Sequence, residues 1–499
     1  MKGNENRSSG ICHRESQGKG QPESQGGKAH GYRGSLHSGI LAGRGRRLAI
    51  WLGWILFWQF LALVAGNPLL VPSPLETVRK LWVLLQKLDF YQAVGSTLLR
   101  ISAGALCGFL VAAALAAGSY RIPLLGEVIS PVIGLMKTVP VASFVVVVLV
   151  WWGSSFLAVA VSFLVVVPGI YHNTLEGLRH TDRKLLEMAQ VFGLSGRARF
   201  FYLYRPALAP FLVSGLQTAL GMCWKAGVAA EVIGIPRFSL GEQLYLSKIY
   251  LDTAGIFAQT AVIVVLSVLL EHLTLWLVGR FLVWEPKVRR KGIARRRTGD
   301  RGTVGDRGNP KDRKTTKNRK TGLPGQTGTD LVLSHVWKAY GDRQVLQDVS
   351  RTYRQGETYL LRSPSGSGKT TLFRLLCGLE EPDGGRIVGE VRISVLFQED
   401  RLCEAYSALG NVELVTGDRE RAARALEELL ELDVLGQPAG TLSGGMKRRV
   451  ALVRAMEAES DMVLLDEPFT GMDPETRKQA EAYIRERQQG RTLLIASHI

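Results

Sequence analysis

The chain predicts an α-helical polytopic membrane half of about six spans, followed by an α/β nucleotide-binding half of the P-loop NTPase class. Three observations predict it. Ser363-Pro364-Ser365-Gly366-Ser367-Gly368-Lys369-Thr370-Thr371 follows the strand-like Thr358 to Leu361 and precedes the apolar helix start Leu372-Phe373, the setting a phosphate-cradling loop requires. Six long apolar stretches lie upstream of it. Between the two halves, Lys287 to Lys320 holds fifteen lysines and arginines against three aspartates, which is two thirds of the chain's net charge of +18.

In chain order, residues 1–47 are Gly, Ser, Gln, Lys and Arg with almost no apolar periodicity, a composition expected to stay disordered because it cannot bury enough surface to offset its chain entropy. Residues 48–282 form the membrane domain. Leu48 to Gly66, interrupted only by Gln59, is close to the ~20 residues that cross a bilayer and longer than the roughly 7–15 of a signal-peptide core. The next spans are expected over Ile101 to Gly118, Val128 to Trp152, Phe156 to Tyr171, Ala207 to Gly234 and Ile256 to Val278. Arg44, Arg46 and Arg47 abut the first span, and Arg179, Arg183, Lys184, Arg197, Arg199 and Arg205 fill the loop 179–206. Basic loops face the cytoplasm, so an even number of spans puts both termini and the nucleotide-binding half there, in a multi-pass protein of the cell membrane. Residues 283–329 read as a basic flexible linker and 330–499 as the soluble domain. The five cysteines show no CxxC or CxxxH spacing, which argues against a disulfide framework or a zinc site.

Within the membrane half, Gly104-x-x-x-Gly108 puts small residues one turn apart, allowing close helix approach. Lys137, Lys225, Glu231 and Glu271-His272 sit in apolar surroundings, where an unpaired charge costs at least ~2.5 kcal/mol at mid-membrane. Lys137, flanked by Pro131 and Pro140, reads first as a residue of a broken segment near the cytoplasmic face. Lys225 is the better candidate for a pathway cation suited to an anionic substrate, with snorkelling or pairing with Glu231 as the competing readings.

In the soluble half, small residues let backbone N–H groups of the phosphate loop turn onto the β- and γ-phosphates, while Lys369 adds charge and the Thr370 hydroxyl reaches Mg²⁺. Ser363 stands where the pattern wants glycine, so that turn must be made with a Cβ present. Leu442-Ser443-Gly444-Gly445-Met446 precedes a helix expected over Lys447 to Met456, which offers a second anion site at a helix N-terminus. Met462-Val463-Leu464-Leu465-Asp466-Glu467 reads as a buried strand delivering two acids, Asp466 to hold Mg²⁺ and Glu467 to polarise the attacking water.

In this order the motifs resemble the ATPase of the ATP-binding cassette family. The resemblance implies that Tyr340 stacks on adenine, Gln398 touches Mg²⁺ and water, Asp473 communicates between paired sites, and His498 contacts the γ-phosphate. ATP and Mg²⁺ are then the cofactors. The family continues beyond this histidine with an acidic residue, a helix and strands, so a chain ending at Ile499 implies either a natively short product or a truncated domain. Glu187-Met188-Ala189, Gly193 and Pro206, with Pro72-Ser73-Pro74 and Leu98-Leu99-Arg100 upstream, resemble the coupling loop and surroundings of permeases of the nitrate, sulfonate and taurine type.

The joint resemblance implies an ATP-driven importer, permease and ATPase in one chain, moving a small solute such as nitrate, sulfonate or taurine. One chain holds one phosphate loop and one LSGGM-type sequence, so it implies a homodimer, or pairing with a homologous half, together with an extracytoplasmic substrate-binding protein. A half-size exporter would instead need long cytoplasmic helix extensions and no Glu187-to-Gly193 loop. A membrane-anchored regulatory ATPase using the basic linker to hold nucleic acid is disfavoured, because no aromatic residue interleaves that run.

Overall fold

The computed structural model describes residues 35–283, 330–364 and 366–497. Ser365, His498, Ile499 and most of the basic linker lie outside them. The membrane half is helical throughout: α1 (Ser35–Ala65), α2 (Pro74–Leu85), α3 (Leu88–Arg121), α4 (Pro123–Thr138), α5 (Val141–Trp152), α6 (Ser154–Arg179), α7 (Arg183–Val191), α8 (Gly196–Arg199), a π turn Phe200–Tyr204, α9 (Arg205–Gly234), α10 (Leu240–Ile249) and α11 (Thr253–Val283). Among the described residues four helices are long and apolar enough to cross a membrane, five if the bent pair α4–α5 is one span, and Ala49–Ala65 is a shorter apolar helix.

Two sequence expectations need correction here. Helix α1 begins at Ser35, inside the segment read as a disordered tail, because extending an existing helix by a residue adds a hydrogen bond without the cost of a new nucleus. The expected span Val128 to Trp152 is two helices bent by 101°. Pro140 has no N–H to continue α4 and holds Val139 extended (φ −69°, ψ 128°), as the residue before proline prefers. The short helix α2, with Ser73 and Glu76 forming a capping box and Pro74 in its first turn, was not predicted from the sequence as a helix.

Helices α3, α6 and α9 form the membrane core, with Ile101, Ala112, Val166, Ile170, Leu216 and Cys223 buried together. Gly104 and Gly108 lie against α6: a Cβ at 104 would stand 2.3 Å from the Val159 carbonyl oxygen, and one at 108 would stand 3.1 Å from that of Phe163. Small residues there set the helix spacing.

The soluble half has two sheets. The antiparallel one, ordered β2-β1-β4, comprises β1 (Leu331–Tyr340), β2 (Arg343–Tyr353) and β4 (Gly384–Val388). The parallel one, ordered β3-β7-β6-β5, comprises β3 (Thr358–Arg362), β5 (Ile393–Leu396), β6 (Met462–Asp466) and β7 (Thr492–Ser497). Every residue of β6 is buried, as expected for a strand covered on both faces. Helices α12 (Lys369–Leu376), α13 (Ala408–Thr416), α14 (Arg419–Glu427), α15 (Gly444–Glu457) and α16 (Pro474–Arg487) complete the domain. The register pairs Arg362 with Ser497 and Asp466 with Ala496, so the phosphate loop, the paired acids and the chain leading to His498 leave the sheet at one edge. Ligands of open parallel sheets bind at such carboxyl ends.

Candidate functional site: a nucleotide pocket and the joint beneath it

Around this edge lies a cavity of about 390 Å³ lined by Tyr340, Arg343, Val345, Gly366 to Thr371, Gln398, Asp466 and Glu467. Gly366 (φ +80°) and Gly368 (φ +91°) take the left-handed backbone that glycine tolerates. Ser363 is absent from the left-handed residues among those described, so the serine needs no glycine geometry. Its hydroxyl lies 2.8 Å from that of Ser367 and ties the start of the loop to its middle. Lys369 Nζ donates to the carbonyls of Ser363 (2.5 Å) and Pro364 (3.0 Å). Neither Ser363 nor Pro364 is among the cavity-lining residues.

Thr370 Oγ1 donates to Asp466 Oδ2 at 3.2 Å, and burial pushes the Asp466 carboxyl above its ordinary value. Its side chain is sunk at the end of β6, where a cation would offset that cost. The oxygen set of Thr370, Asp466 and Gln398 fits Mg²⁺, a hard ion that takes few protein oxygens and keeps phosphate and water for the rest. Bound there, the ion would neutralise charge on the β- and γ-phosphates. Glu467 adopts φ +49°, a strained conformation for a non-glycine residue of the kind that collects at functional sites. Its amide donates to Ala496 O (2.9 Å), and Arg448 donates to its carbonyl (2.9 Å).

Arg448, which sequence reasoning passed over, is buried and also donates to the carbonyls of Phe397 (2.7 Å), Gln398 (3.2 Å) and Asp466 and to Asp400 Oδ1 (2.9 Å). One guanidinium thus fastens the Gln398 loop and the Asp466-Glu467 turn to α15. Arg343 was missed as well. It follows the Tyr340-Gly341 turn, and its Nη2 would lie 3.7 Å from a Cβ built on Gly366. The only sequence signal for either was a basic residue beside a recognised motif.

Tyr340, half exposed at the cavity rim, donates to Glu380. Ser443 caps α15 by accepting from Met446 N (3.3 Å), which starts that helix three residues earlier than expected. Ser443, Gly444 and Gly445 do not line the cavity. Neither does Asp473, whose carboxylate caps α16 by accepting from the amides of Glu475 (3.1 Å) and Thr476 (3.0 Å). His498 and Ser365 lie outside the described residues.

The loop 179–206 docks on this domain. Asp182 caps α7, and Gly193 (φ +62°) ends it, with Gly193 N donating to Gln190 O (3.1 Å) and Leu194 N to Ala189 O (2.9 Å), a Schellman motif. Met188, Ala189 and Phe192 are fully buried in one cluster with Leu372, Phe373 and Leu376 of α12 and Phe397. On the polar side, Arg374 of α12 grips Glu187 through two bonds (3.0 and 2.9 Å), and Arg401 adds a third (2.9 Å). The Arg374 bonds hold the Glu187 carboxyl below its ordinary value. Lys184 reaches Glu399 at 2.6 Å. Arg205, buried at the base of α9, donates to Phe281 O (3.0 Å) and Tyr406 Oη (2.5 Å), and the Tyr202 and Tyr406 rings lie 4.5 Å apart.

In the membrane, Glu231 and Lys225 are not brought together. Glu231 is fully buried, accepts from Thr97 Oγ1 at 2.7 Å and lies 3.5 Å from Arg100 Nη1. Thr97 in turn accepts from Leu240 N at 3.0 Å, so α3, α9 and α10 are joined at one point. Lys225 is exposed on α9.

Residues 346–470 match the family described as ABC transporter, and residues 104–283 match the binding-protein-dependent transport system inner membrane component. The chain is 43% identical over 162 residues to the aliphatic sulfonates import ATP-binding protein SsuB 3 of Rhodococcus jostii (strain RHA1), covering 31% of this chain and 60% of that protein. It is 38% identical over 182 residues to SsuB 1 of the same strain, covering 34% and 73%. Against the sulfate/thiosulfate import ATP-binding protein CysA of Synechococcus elongatus it is 36% identical over 182 residues, covering 33% and 53%. The chain spans about 60% of the length of the first of these relatives. It belongs to the ATP-binding cassette transporters. Its particular form joins an inner-membrane permease component and an ATPase in one polypeptide.

Proposed function

We propose that the chain is one half of an ATP-driven importer that takes a small oxyanion, such as a sulfonate, sulfate, nitrate or taurine, from an extracytoplasmic binding protein. The observation that carries this reading is the clamp on Glu187. Arg374 lies on α12, whose first residues are Lys369-Thr370-Thr371, and Arg401 lies three residues beyond Gln398. A change at the phosphates reaches α7 through one rigid helix and one short loop, which is the two-state linkage a transporter needs.

In this reading the N–H groups of Gly366 to Thr371 and Lys369 hold the β- and γ-phosphates, Tyr340 packs against the base, and Glu467 orients the attacking water with Gln398. Ser443-Gly444-Gly445 cover the nucleotide of a second copy, since they stand away from the pocket of their own chain. Two copies then make two composite sites, with His498 and Asp473 at their seam. Both termini and the ATPase half face the cytoplasm. The sulfonate and sulfate names of the relatives support an oxyanion.

The test is ATP hydrolysis by the full-length chain in proteoliposomes, beside Glu467→Gln and Glu187→Ala. Glu467→Gln is expected to lose about 100-fold or more in rate, on the scale of removing a catalytic proton acceptor. Glu187→Ala should keep nucleotide binding. Equal hydrolysis by the wild type and Glu467→Gln would overturn the reading.

A further inference from the structure

The broken pair α4–α5 leaves a cavity of about 380 Å³ against α6 and α9, within the ~300–1,000 Å³ of small-molecule pockets. Its wall is mostly apolar. The polar groups on it are Lys137 from the last turn of α4, His172 and Asn173 from α6, and Ser214 and Thr218 from α9, and no carboxylate lines it. Asn173 is held by its Nδ2 bond to Gly169 O (2.8 Å). A Cβ at position 215 would stand 2.9 Å from Asn173 Cγ, so Gly215 leaves the room that this amide occupies. Helix α6 is a candidate span from 154 to 179, and α8, the π turn and α9 together form another from 196 to 234, which places His172, Asn173, Ser214 and Thr218 inside the membrane half.

Lys137 is exposed at the last turn of α4, on the wall of this cavity, and an ionisable residue within a membrane-spanning region is by default a candidate for function. None of the ion pairs among the described residues includes Lys137. A protein that needed only to fill space there would have no use for a cation facing hydroxyl, amide and imidazole groups across an apolar pocket.

We propose that this cavity is a waypoint for a small organic anion, with the anionic group on Lys137 and within reach of the Thr218 and Asn173 side chains, and the apolar body of the solute against the wall. The proposal rests on the import reading and deepens it by naming the chemistry that the membrane half itself recognises. It also moves the pathway cation from Lys225 to Lys137.

The test needs neither the solute nor its binding protein. Thr218→Cys is placed in the full-length chain with its native cysteines replaced by alanine, reconstituted, and labelled with methanethiosulfonates carrying either a sulfonate or a trimethylammonium group. Rates are normalised to those with glutathione. The sulfonate reagent is expected to be preferred by about tenfold, the scale of one nearby cation in a partly screened site. Lys137→Gln should bring the preference to near one, and Lys137→Arg should keep it. Added methanesulfonate should slow labelling when Lys137 is present and not in the Lys137→Gln variant; slowing only by a phospholipid headgroup analogue would mean a lipid site and overturn the waypoint. So would labelling by neither reagent in a folded variant, or a preference unmoved by Lys137→Gln. ATP hydrolysis by the same chain separates the two readings: charge preference without hydrolysis sinks the importer and leaves the anion cavity, and hydrolysis without charge preference does the reverse.

Discussion

Glu187 and Glu231 are both carboxylates at crowded helix junctions, both held by arginine, and they do opposite things. Glu231 is buried completely, and its partners Thr97 and Arg100 belong to the same membrane half. Glu187 keeps partial access to water, and its partners Arg374 and Arg401 belong to the ATPase half. The first is a rivet within one body, and the second is a joint between two. A carboxylate's role is set by which bodies its partners ride on.

The largest effect that could break this contrast is loss of the rivet. Glu231→Ala removes the buried acceptor of the Thr97 hydroxyl and the ion partner of Arg100, which keeps its bond to the Arg237 carbonyl, and leaving a buried donor unpaired costs about 1–3 kcal/mol. Thermal unfolding in detergent should show it as a marked fall in Tm, and a Tm within error of wild type would show that Glu231 is not structural. Glu187→Ala should instead leave Tm nearly unchanged while coupling between ATP hydrolysis and membrane-half movement falls about tenfold, the scale of ~1.4 kcal/mol. The reversed pair Glu187→Arg with Arg374→Glu, assayed for hydrolysis and for ATP-dependent labelling of the membrane half, should recover part of that loss.

A smaller effect is expected at Tyr406→Phe, which removes one hydroxyl from the Arg205 contact and should cost about 1 kcal/mol, read as a small drop in Tm. The smallest is the pH response of the joint. The folded-state pKa of Glu187 lies below its ordinary 4.5 because Arg374 holds the charged form, so its contribution is complete above that ordinary value and is lost as pH falls through the lowered one. Between pH 5 and 3 the wild type should therefore lose slightly more stability than Glu187→Gln, and no difference in slope is expected from pH 6 to 8.

The contrast also explains what could be read from the chain alone. The phosphate loop, LSGGM and the Asp466-Glu467 strand end are contiguous, because each is a turn of backbone that a ligand requires in one piece, and the structure gathers the loop, Gln398, Tyr340 and both acids around one pocket. Glu187-Met188-Ala189 and Gly193 were legible as a coupling-loop motif for the same reason. Arg374, Arg401 and Arg448 were not, because their partners lie 187, 214 and 18 or more residues away and nothing local distinguishes a docking arginine from a solvated one. The 101° bend was half legible: Pro140 was visible, but hydropathy averaged across it. The cavity beside Lys137 was not legible, because its wall is assembled from four helices, α4, α5, α6 and α9.

The dock between α7 and the ATPase is made within one chain. A linker of the length between Val283 and Asp330 keeps the two surfaces at an effective concentration on the order of millimolar. Separate subunits would have to bind tightly enough to find each other at cellular dilution, and a tight joint resists rearrangement. A tethered joint is free of that demand, so under the proposed import cycle the three bonds on Glu187 can give way and re-form without the two halves parting.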